Sequence, residues 1–113
     1  MIKRGDVYYA DLDPVIASEQ KGHRPIIVIQ NDIGNLYSPT TIAAMVTSSQ
    51  KKKLPTHVHV KDESSGLSDD SIVMIEQIRT IDKQRLCSMI GHMSDKTMAL
   101  IEDAALCSIG IVR

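Results

Sequence analysis

The stretch RGDVYYADL at residues 4–12, followed after a polar loop by RPIIVIQ at residues 24–30, decides the fold of this chain. Both segments are rich in β-branched and aromatic residues, which predicts two strands joined by an exposed loop. Arg24 stands where the chain re-enters the sheet, and Pro25 biases the Arg24 backbone towards extended conformations. A guanidinium offers a planar fork of donors that suits phosphate oxygens. The sequence therefore predicts a rigidly mounted, phosphate-binding arginine at the start of the second strand.

The remaining periodicity predicts more strands and one closing helix. Residues 40–48 are apolar on both faces, which indicates a central strand, and residues 57–60 alternate as a half-exposed strand does. Residues 71–81 predict a long strand, residues 87–92 a brief last one, and residues 31–39 a turn with at most one short helical turn. From Ser94, the predicted N-cap, the period becomes helical, with an apolar stripe formed by Leu100, Ala104, Cys107 and Ile111 and with Ile101, Ala105 and Ile109 beside it. We expect a mainly β fold, a small antiparallel barrel with a C-terminal α-helix.

Length and composition set limits on the function. The chain has 113 residues, room for a single domain at 1–113 with one hydrophobic core. No apolar run is long enough to span a bilayer, and the N-terminus is not a signal peptide, so we expect a cytoplasmic protein without membrane contact. Cys87 and Cys107 are expected to be free and partly buried. A net charge of −1 allows only a local basic patch, and the lack of Trp and Phe leaves three tyrosines for base stacking.

Several polar residues are candidates for chemistry, each with a structural alternative. Thr47 shares a strand face with other small residues, and its hydroxyl could bind a phosphate oxygen or serve only β propensity. His57 and His59 share a face, but their strand carries no cysteine or carboxylate that could complete a ligand set, which favours a polar outward face over a metal pair. The basic loop around residues 51–53 either is solvated or attracts phosphates. Glu76 and Gln77 interrupt an apolar strand, so they must reach solvent, a hydrogen-bond partner or a ligand.

The chain resembles the MazF/PemK/Kid family of toxin endoribonucleases in a series of ordered blocks. These blocks are RGDVY (4–8), ADL (10–12), SEQ (18–20), RP (24–25), QND (30–32), GN (34–35), SPT (38–40), LPTHV (54–58) and EQIRTID (76–82). They run in order through essentially the whole chain. Ala17 and Lys21 stand where relatives often have glycine, which predicts a stiffer first loop.

The resemblance implies a fold, an activity and a set of site residues. The fold would be an SH3-like barrel of the CcdB/Kid/MazF type, assembled as a homodimer. The activity would be cleavage of single-stranded mRNA at short sequences, with no metal and no cofactor, which inhibits translation and growth until a MazE-like antitoxin neutralises it. Attack by the 2′-hydroxyl would leave 2′,3′-cyclic phosphate and 5′-hydroxyl ends. The catalytic residues would be Arg24 and Thr47, and the RNA-binding residues Arg4, Ser18, Glu19, Gln20, Lys21, Asn31, Asn35, Lys51, Glu76 and Gln77.

Two other functions fit the same fold. A CcdB-like toxin poisons gyrase without an enzymatic step and relies on C-terminal tryptophan contacts, but this chain has no tryptophan. An SH3-like peptide-binding module would need a groove lined by aromatic residues, for which three tyrosines are too few.

Overall fold

The strands and helices follow the predicted order along the chain. The computed structural model describes residues 1–12, 23–48 and 54–112. Its strands are β1 Asp6–Asp11, β2 His23–Val28, β3 Thr40–Thr47, β4 His57–His59, β5 Ile72–Asp82 and β6 Leu86–His92, and its α-helices are α1 Asp32–Tyr37 and α2 Asp95–Ser108. Two short 3-10 turns cover Glu63–Ser65 and Lys83–Arg85. Of these described helices, neither is long and apolar enough to cross a bilayer.

All neighbouring strands are antiparallel, in the order β4-β5-β3-β2-β1-β6. β3 lies between β2 and β5, which confirms the central position predicted from its apolar faces. Within the described ranges, the edge strands β4 and β6 do not pair with each other, so the barrel is not closed. The predicted mainly β fold with a C-terminal helix is confirmed.

Alternation along the strands divides the buried apolar side chains into two layers. One face of the sheet, the helix face, packs against α2 and carries Val7, Ile27, Ala44, Val46 and Val73. The opposite face, the second face, carries Ala10, Ile26, Val28, Ala43 and Met45. Full burial of one such larger side chain contributes about 1.5–3 kcal/mol, so both layers hold the sheet together. Because the middles of β2 and β3 are buried on both faces, polar residues on these strands are confined largely to the strand ends.

The buried line of α2 differs from the predicted stripe. Ser94 is the N-cap, as expected, and its hydroxyl accepts the Thr97 N–H at 3.3 Å. The buried residues are Thr97, Met98, Ile101 and Ala104. Leu100 is 52% exposed, and Cys107 and Ile111 also face outwards. The helix carries two apolar lines with helical spacing, and periodicity does not say which of them the sheet contacts.

Both cysteines are free, as predicted, but both are exposed rather than partly buried. Cys107 lies on the outward line of α2, and Cys87 lies on β6 at the edge of the sheet. α1 is longer than predicted, because its six residues form more than the single short helical turn expected there.

The carboxylate of Asp62 joins the first 3-10 turn to the start of α2. It accepts the backbone N–H of Ser64 at 3.1 Å, the backbone N–H of Ser94 at 2.7 Å and the hydroxyl of Thr97 at 2.9 Å. The Ser64 hydroxyl donates to it as well. Partial burial acts to raise the pKa of Asp62, but these hydrogen bonds outweigh it and hold that pKa well below its usual range. Asp62 is therefore an ionised cap that fixes where the C-terminal helix begins.

Candidate active site

Arg24 and Thr47 lie at adjoining ends of β2 and β3. The ladder between these strands pairs Ile26 with Met45 and continues inwards from there. The same register, extended by two residues towards the strand ends, sets Arg24 opposite Thr47. Since alternate residues share a face, both side chains belong to the second face. Directly opposed residues have Cβ atoms about 4.5–5.5 Å apart, close enough for a guanidinium and a hydroxyl to reach the same phosphate.

The Arg24 side chain is half-buried, and within the described ranges no carboxylate forms an ion pair with it. Because no carboxylate of the described ranges pairs with it, the guanidinium can offer its donors to an anionic ligand. Thr47 is also half-buried. The pair thus offers an electropositive fork beside a hydroxyl, at the margin of an apolar layer.

Two further side chains lie on the same face, and the sequence analysis did not assign either of them to this site. Tyr8 pairs with Ile26 and so lies on the second face, and burial, with a smaller effect of Asp6, raises the pKa of Tyr8. Its hydroxyl therefore stays protonated at neutral pH and can donate. On the other side, Thr47 pairs with Ile72 of β5, and Ile72 pairs with His59 of β4.

His59 consequently lies in the same transverse row as Arg24 and Thr47. With about 4.8 Å between neighbouring strands, it stands about 14 Å from Arg24, at the exposed edge of the row. The only sequence signal was that His57 and His59 share a face with each other. Which face that is depends on strand pairing, which sequence alone does not give.

A bulge in β5 carries Glu76 and Gln77. On β3, Ala44 pairs with Ile78 and the next residue, Met45, pairs with Met74. Residues 75–77 of β5 therefore have no partner on β3. Bulges of this kind bend a strand and redirect side chains. Glu76 and Gln77 are both exposed, which confirms that the polar break in this strand reaches solvent and hydrogen-bond partners.

Glu76 is held by two donors from the segment leading into β4. The Thr56 hydroxyl donates to one carboxylate oxygen at 2.9 Å, and His57 Nε2 lies 2.9 Å from the other. Partial burial acts to raise the pKa of Glu76, but the hydrogen bonds from His57, from its own backbone and from Thr56 prevail and lower it. The carboxylate is therefore ionised and fixed in orientation at neutral pH.

His57 departs from the polar outward face that was predicted for it. Its side chain is 4% exposed, because the β5 bulge places the Glu76 carboxylate against it. The partner comes from a strand 19 residues further along the chain, so nothing local in the sequence could reveal it. No group of three or more His, Cys, Asp or Glu side chains converges as a metal site in the portions of the chain described.

Comparison with known proteins shows the family to which the chain belongs. The family described as “PemK-like, MazF-like toxin of type II toxin-antitoxin system” matches residues 3–109. The chain belongs to this MazF/PemK toxin family. The resemblance seen in the sequence blocks is therefore confirmed over nearly the whole chain.

One relative and two solved structures illustrate what the chain is similar to. Endoribonuclease EndoA of Bacillus subtilis (strain 168) is 52% identical over 113 residues, covering 99% of this chain and 97% of that protein. A solved “endoribonuclease in complex with its cognate antitoxin from Mycobacterial species” has a TM-score of 0.84 at 24% identity, covering 100% of this chain and 99% of that one. A MazE-MazF structure (Form-II) from Deinococcus radiodurans has a TM-score of 0.81 at 21% identity, covering 98% and 97%. At these identities the two structures establish the fold.

Three residues that the MazF/PemK resemblance assigns to RNA binding lie at the other end of the sheet from Arg24. These are Arg4, Asn31 and Asn35, which gather near α1, where the Arg4 backbone N–H donates to a carboxylate in the first turn at 2.7 Å. Arg24 pairs with Ala10, six residues along from Arg4. At about 3.3 Å per residue the separation is about 20 Å. One protomer does not bring these residues to the candidate catalytic pair.

Each of the three also makes a structural contact. The Arg4 guanidinium lies 2.5 Å from the carboxylate of Glu102 on α2, and Asn31 Oδ1 accepts the Gly34 N–H at 2.8 Å as the N-cap of α1.

Asn35 is 1% exposed. Its amide donates to Gln30 O at 2.9 Å and Asp32 Oδ1 at 3.2 Å, and its oxygen accepts from Gln30 Nε2 at 3.1 Å and Thr41 Oγ1 at 2.7 Å. Asn35 therefore has a structural role in the folded chain, and its assignment to RNA binding stays a prediction from the MazF/PemK resemblance.

The other predicted RNA-binding residues of the two loops fall outside the described ranges. They are Ser18, Glu19, Gln20, Lys21 and Lys51. Their assignment stays a prediction from the MazF/PemK resemblance, whereas Glu76 and Gln77 lie in the described bulge.

Proposed function

We propose that this protein is a sequence-specific endoribonuclease toxin that cleaves single-stranded RNA, principally mRNA, without a metal ion, and so inhibits translation and growth. The 52% identity to a protein named endoribonuclease EndoA supports the activity. The observation that supports the site is the β2–β3 register, in which Ile26 pairs with Met45. Continued by two residues, this register would set Arg24 opposite Thr47 on the second face. An arginine without a described counter-charge and a threonine hydroxyl are suited to one phosphate group.

In the proposed reaction, the RNA 2′-oxygen forms a bond to the adjacent phosphorus while the bond from phosphorus to the 5′-oxygen breaks. The 2′-hydroxyl loses its proton, and the leaving 5′-oxygen gains one. The products are a 2′,3′-cyclic phosphate and a 5′-hydroxyl end.

Arg24 and Thr47 would act on the negative charge that develops on the non-bridging oxygens. Donors that are already in place, at the edge of a partly water-excluded layer, stabilise such charge more than water does. Loss of one such donor typically costs about 10²–10³ in rate. A guanidinium does not readily give up its proton in a protein, so the role that we propose for Arg24 is electrostatic.

The family and its solved complexes also suggest the partners. We propose a homodimer in the cytoplasm that a MazE-like antitoxin neutralises, because family members have been solved with an antitoxin. An antitoxin whose acidic segment folds across Arg24 would compete directly with RNA. Such binding would weaken as salt is raised, since it depends on charge.

The test is incubation of the purified protein with a long single-stranded RNA in EDTA, followed by mapping of both ends of the products. We expect cleavage at a short recurrent sequence, with 5′-hydroxyl and cyclic phosphate ends. Arg24→Ala should cleave about 10²–10³-fold more slowly. Lys96→Ala, which removes an exposed cation on α2, is the matched control and should cleave at the wild-type rate.

One result would refute the proposed activity, and another would refute only the assigned site. Intact RNA after incubation with folded wild-type protein would exclude the activity, and inhibition of gyrase by the same preparation would favour the CcdB-like alternative. Normal cleavage by Arg24→Ala would leave the activity standing but show that the site is elsewhere.

A further inference from the structure

Thr56 and His57 form, with Glu76, a hydrogen-bonded group at the β5 bulge that the catalytic pair does not use. We infer that Thr56 and His57 are positioning residues that aim the Glu76 carboxylate at the edge of one RNA base, and so set the base preference at one position of the cleaved sequence. This inference rests on the proposed nuclease function.

The first argument is that hydrogen bonds to both of its oxygens hold the Glu76 carboxylate in one orientation. Each carboxylate oxygen accepts one hydrogen bond of 2.9 Å, from Thr56 and from His57 respectively. Two fixed donors on two different oxygens define the plane of the carboxylate. An exposed glutamate on a strand would otherwise move among several rotamers.

The second argument is that His57 is itself oriented at both ends. The Leu54 N–H donates to Nδ1 at 3.4 Å, which requires an unprotonated Nδ1 and places the proton on Nε2, facing Glu76. The ring is buried, with 4% of its side chain exposed. A buried imidazole that has a single tautomer holds its partner more rigidly than a surface side chain could.

The third argument is location. His57 pairs with Met74, Met74 pairs with Met45, and Met45 pairs with Ile26, two residues from Arg24. His57 thus lies on the second face, the face of the candidate catalytic pair. The Glu76 side chain remains 32% exposed, so the carboxylate keeps lone pairs that an incoming group can reach.

The chemistry of the carboxylate limits what it can contact. Glu76 is ionised, so it accepts hydrogen bonds and repels phosphate. On RNA, the groups that it can accept from on a base edge are the amino groups of cytosine, adenine and guanine and the imino N–H of guanine or uracil. A fixed acceptor discriminates among bases by where their donors lie, whereas a mobile one would adapt to several.

Two matched pairs of variants test this inference. His57→Gln keeps a donor near the position of Nε2, whereas His57→Asn keeps only a group near Nδ1. Thr56→Ser keeps the hydroxyl, whereas Thr56→Val removes it. Cleavage of a synthetic single-stranded RNA library with randomised sequence, in EDTA and read by sequencing of the product ends, gives the base preference at every position. Glu63→Ala removes a surface glutamate outside the site and serves as the control.

We expect His57→Asn and Thr56→Val to reduce discrimination at one and the same position by about tenfold. His57→Gln and Thr56→Ser should restore it. Glu76→Ala should itself remove the base preference at that position. In this background His57→Asn should have no additional effect on base preference, because His57 acts through Glu76. If His57→Asn does not fold, the Thr56 pair alone decides the outcome.

Unchanged base preference in His57→Asn and Thr56→Val, with cleavage of all sequences lowered equally or only the melting temperature reduced, would overturn the inference and show a structural role. That result would leave the proposed function intact, since wild-type protein still cleaves. A wild-type protein that cleaves no RNA at all would instead overturn the proposed function and this inference with it.

Discussion

Asp62 offers a sharp test of how the C-terminal helix is attached. Its carboxylate accepts hydrogen bonds from two backbone N–H groups and two hydroxyls, at both the first 3-10 turn and the start of α2. Replacement of a capping residue by alanine costs about 0.5–2 kcal/mol. Because two element ends depend on this carboxylate, we expect Asp62→Ala to lower the free energy of unfolding by about 2–3 kcal/mol.

The melting temperature measures this loss. For a chain of this size, about 1 kcal/mol corresponds to about 4 °C, so Asp62→Ala should melt about 8–12 °C below wild type. Asp62→Asn keeps a good capping side chain but loses the charge, and should lose about 1 kcal/mol. Asp69→Ala removes an exposed aspartate in a turn and should melt within about 2 °C of wild type. All variants are compared at one protein concentration, which keeps any dimer contribution equal.

The pH dependence gives a second readout. The folded-state pKa of Asp62 lies below its unfolded value, which is about 3.9, so the unfolded chain binds the proton more readily. The advantage of wild type over Asp62→Ala is therefore complete above about pH 4 and declines as the pH falls below it. The reasoning would be refuted by equal melting temperatures of Asp62→Ala and Asp69→Ala at pH 7. It would also be refuted if the difference in stability between wild type and Asp62→Ala were larger at pH 3 than at pH 7.

Three more changes are predicted from contacts in the structure. Thr47→Val should slow RNA cleavage about 10²-fold while Thr47→Ser keeps most of the rate, measured with a fluorescent RNA oligonucleotide; equal rates for the two would remove Thr47 from the site. Asn35→Leu should cost about 2–4 kcal/mol in urea unfolding because it leaves buried polar partners unpaired, and a loss below about 1 kcal/mol would contradict this. Gly91→Ala should lower the melting temperature, because its Cβ would lie 2.4 Å from the Ser64 carbonyl oxygen, and an unchanged value would show that this contact relaxes freely.

Local features of the fold were readable from the sequence because their causes are local. The apolar faces of β3 predicted its central place, and Ser94 predicted the start of α2. The family blocks predicted the toxin family that the comparisons confirm. These features depend on residue type and short spacing, which the chain carries without reference to its folded state.

Features that depend on partners from distant elements were not readable. Periodicity placed the buried stripe of α2 on Leu100 and Cys107, but the sheet contacts the line through Met98 and Ile101. Both lines have helical spacing, and only the direction in which the sheet lies selects one of them. Likewise, the sequence around His57 predicts a surface strand. In the structure, His57 is buried against the Glu76 carboxylate, which the bulge of β5 brings to it.

The candidate site also has features with local causes and features that depend on distant elements. The sequence by itself determined that an arginine with a restricted backbone lies near the start of β2 and that a threonine lies at the end of β3. The reason is that the neighbouring proline and the alternation of small residues act within a few positions. Only the tertiary structure supplied the β2–β3 register, which, extended to the strand ends, sets Arg24 opposite Thr47 and leaves Arg4 and Asn35 at the other end of the sheet. The physical reason is that antiparallel register depends on long-range hydrogen bonding and on burial of both sheet faces, and a shift of one residue would turn either side chain to the other face.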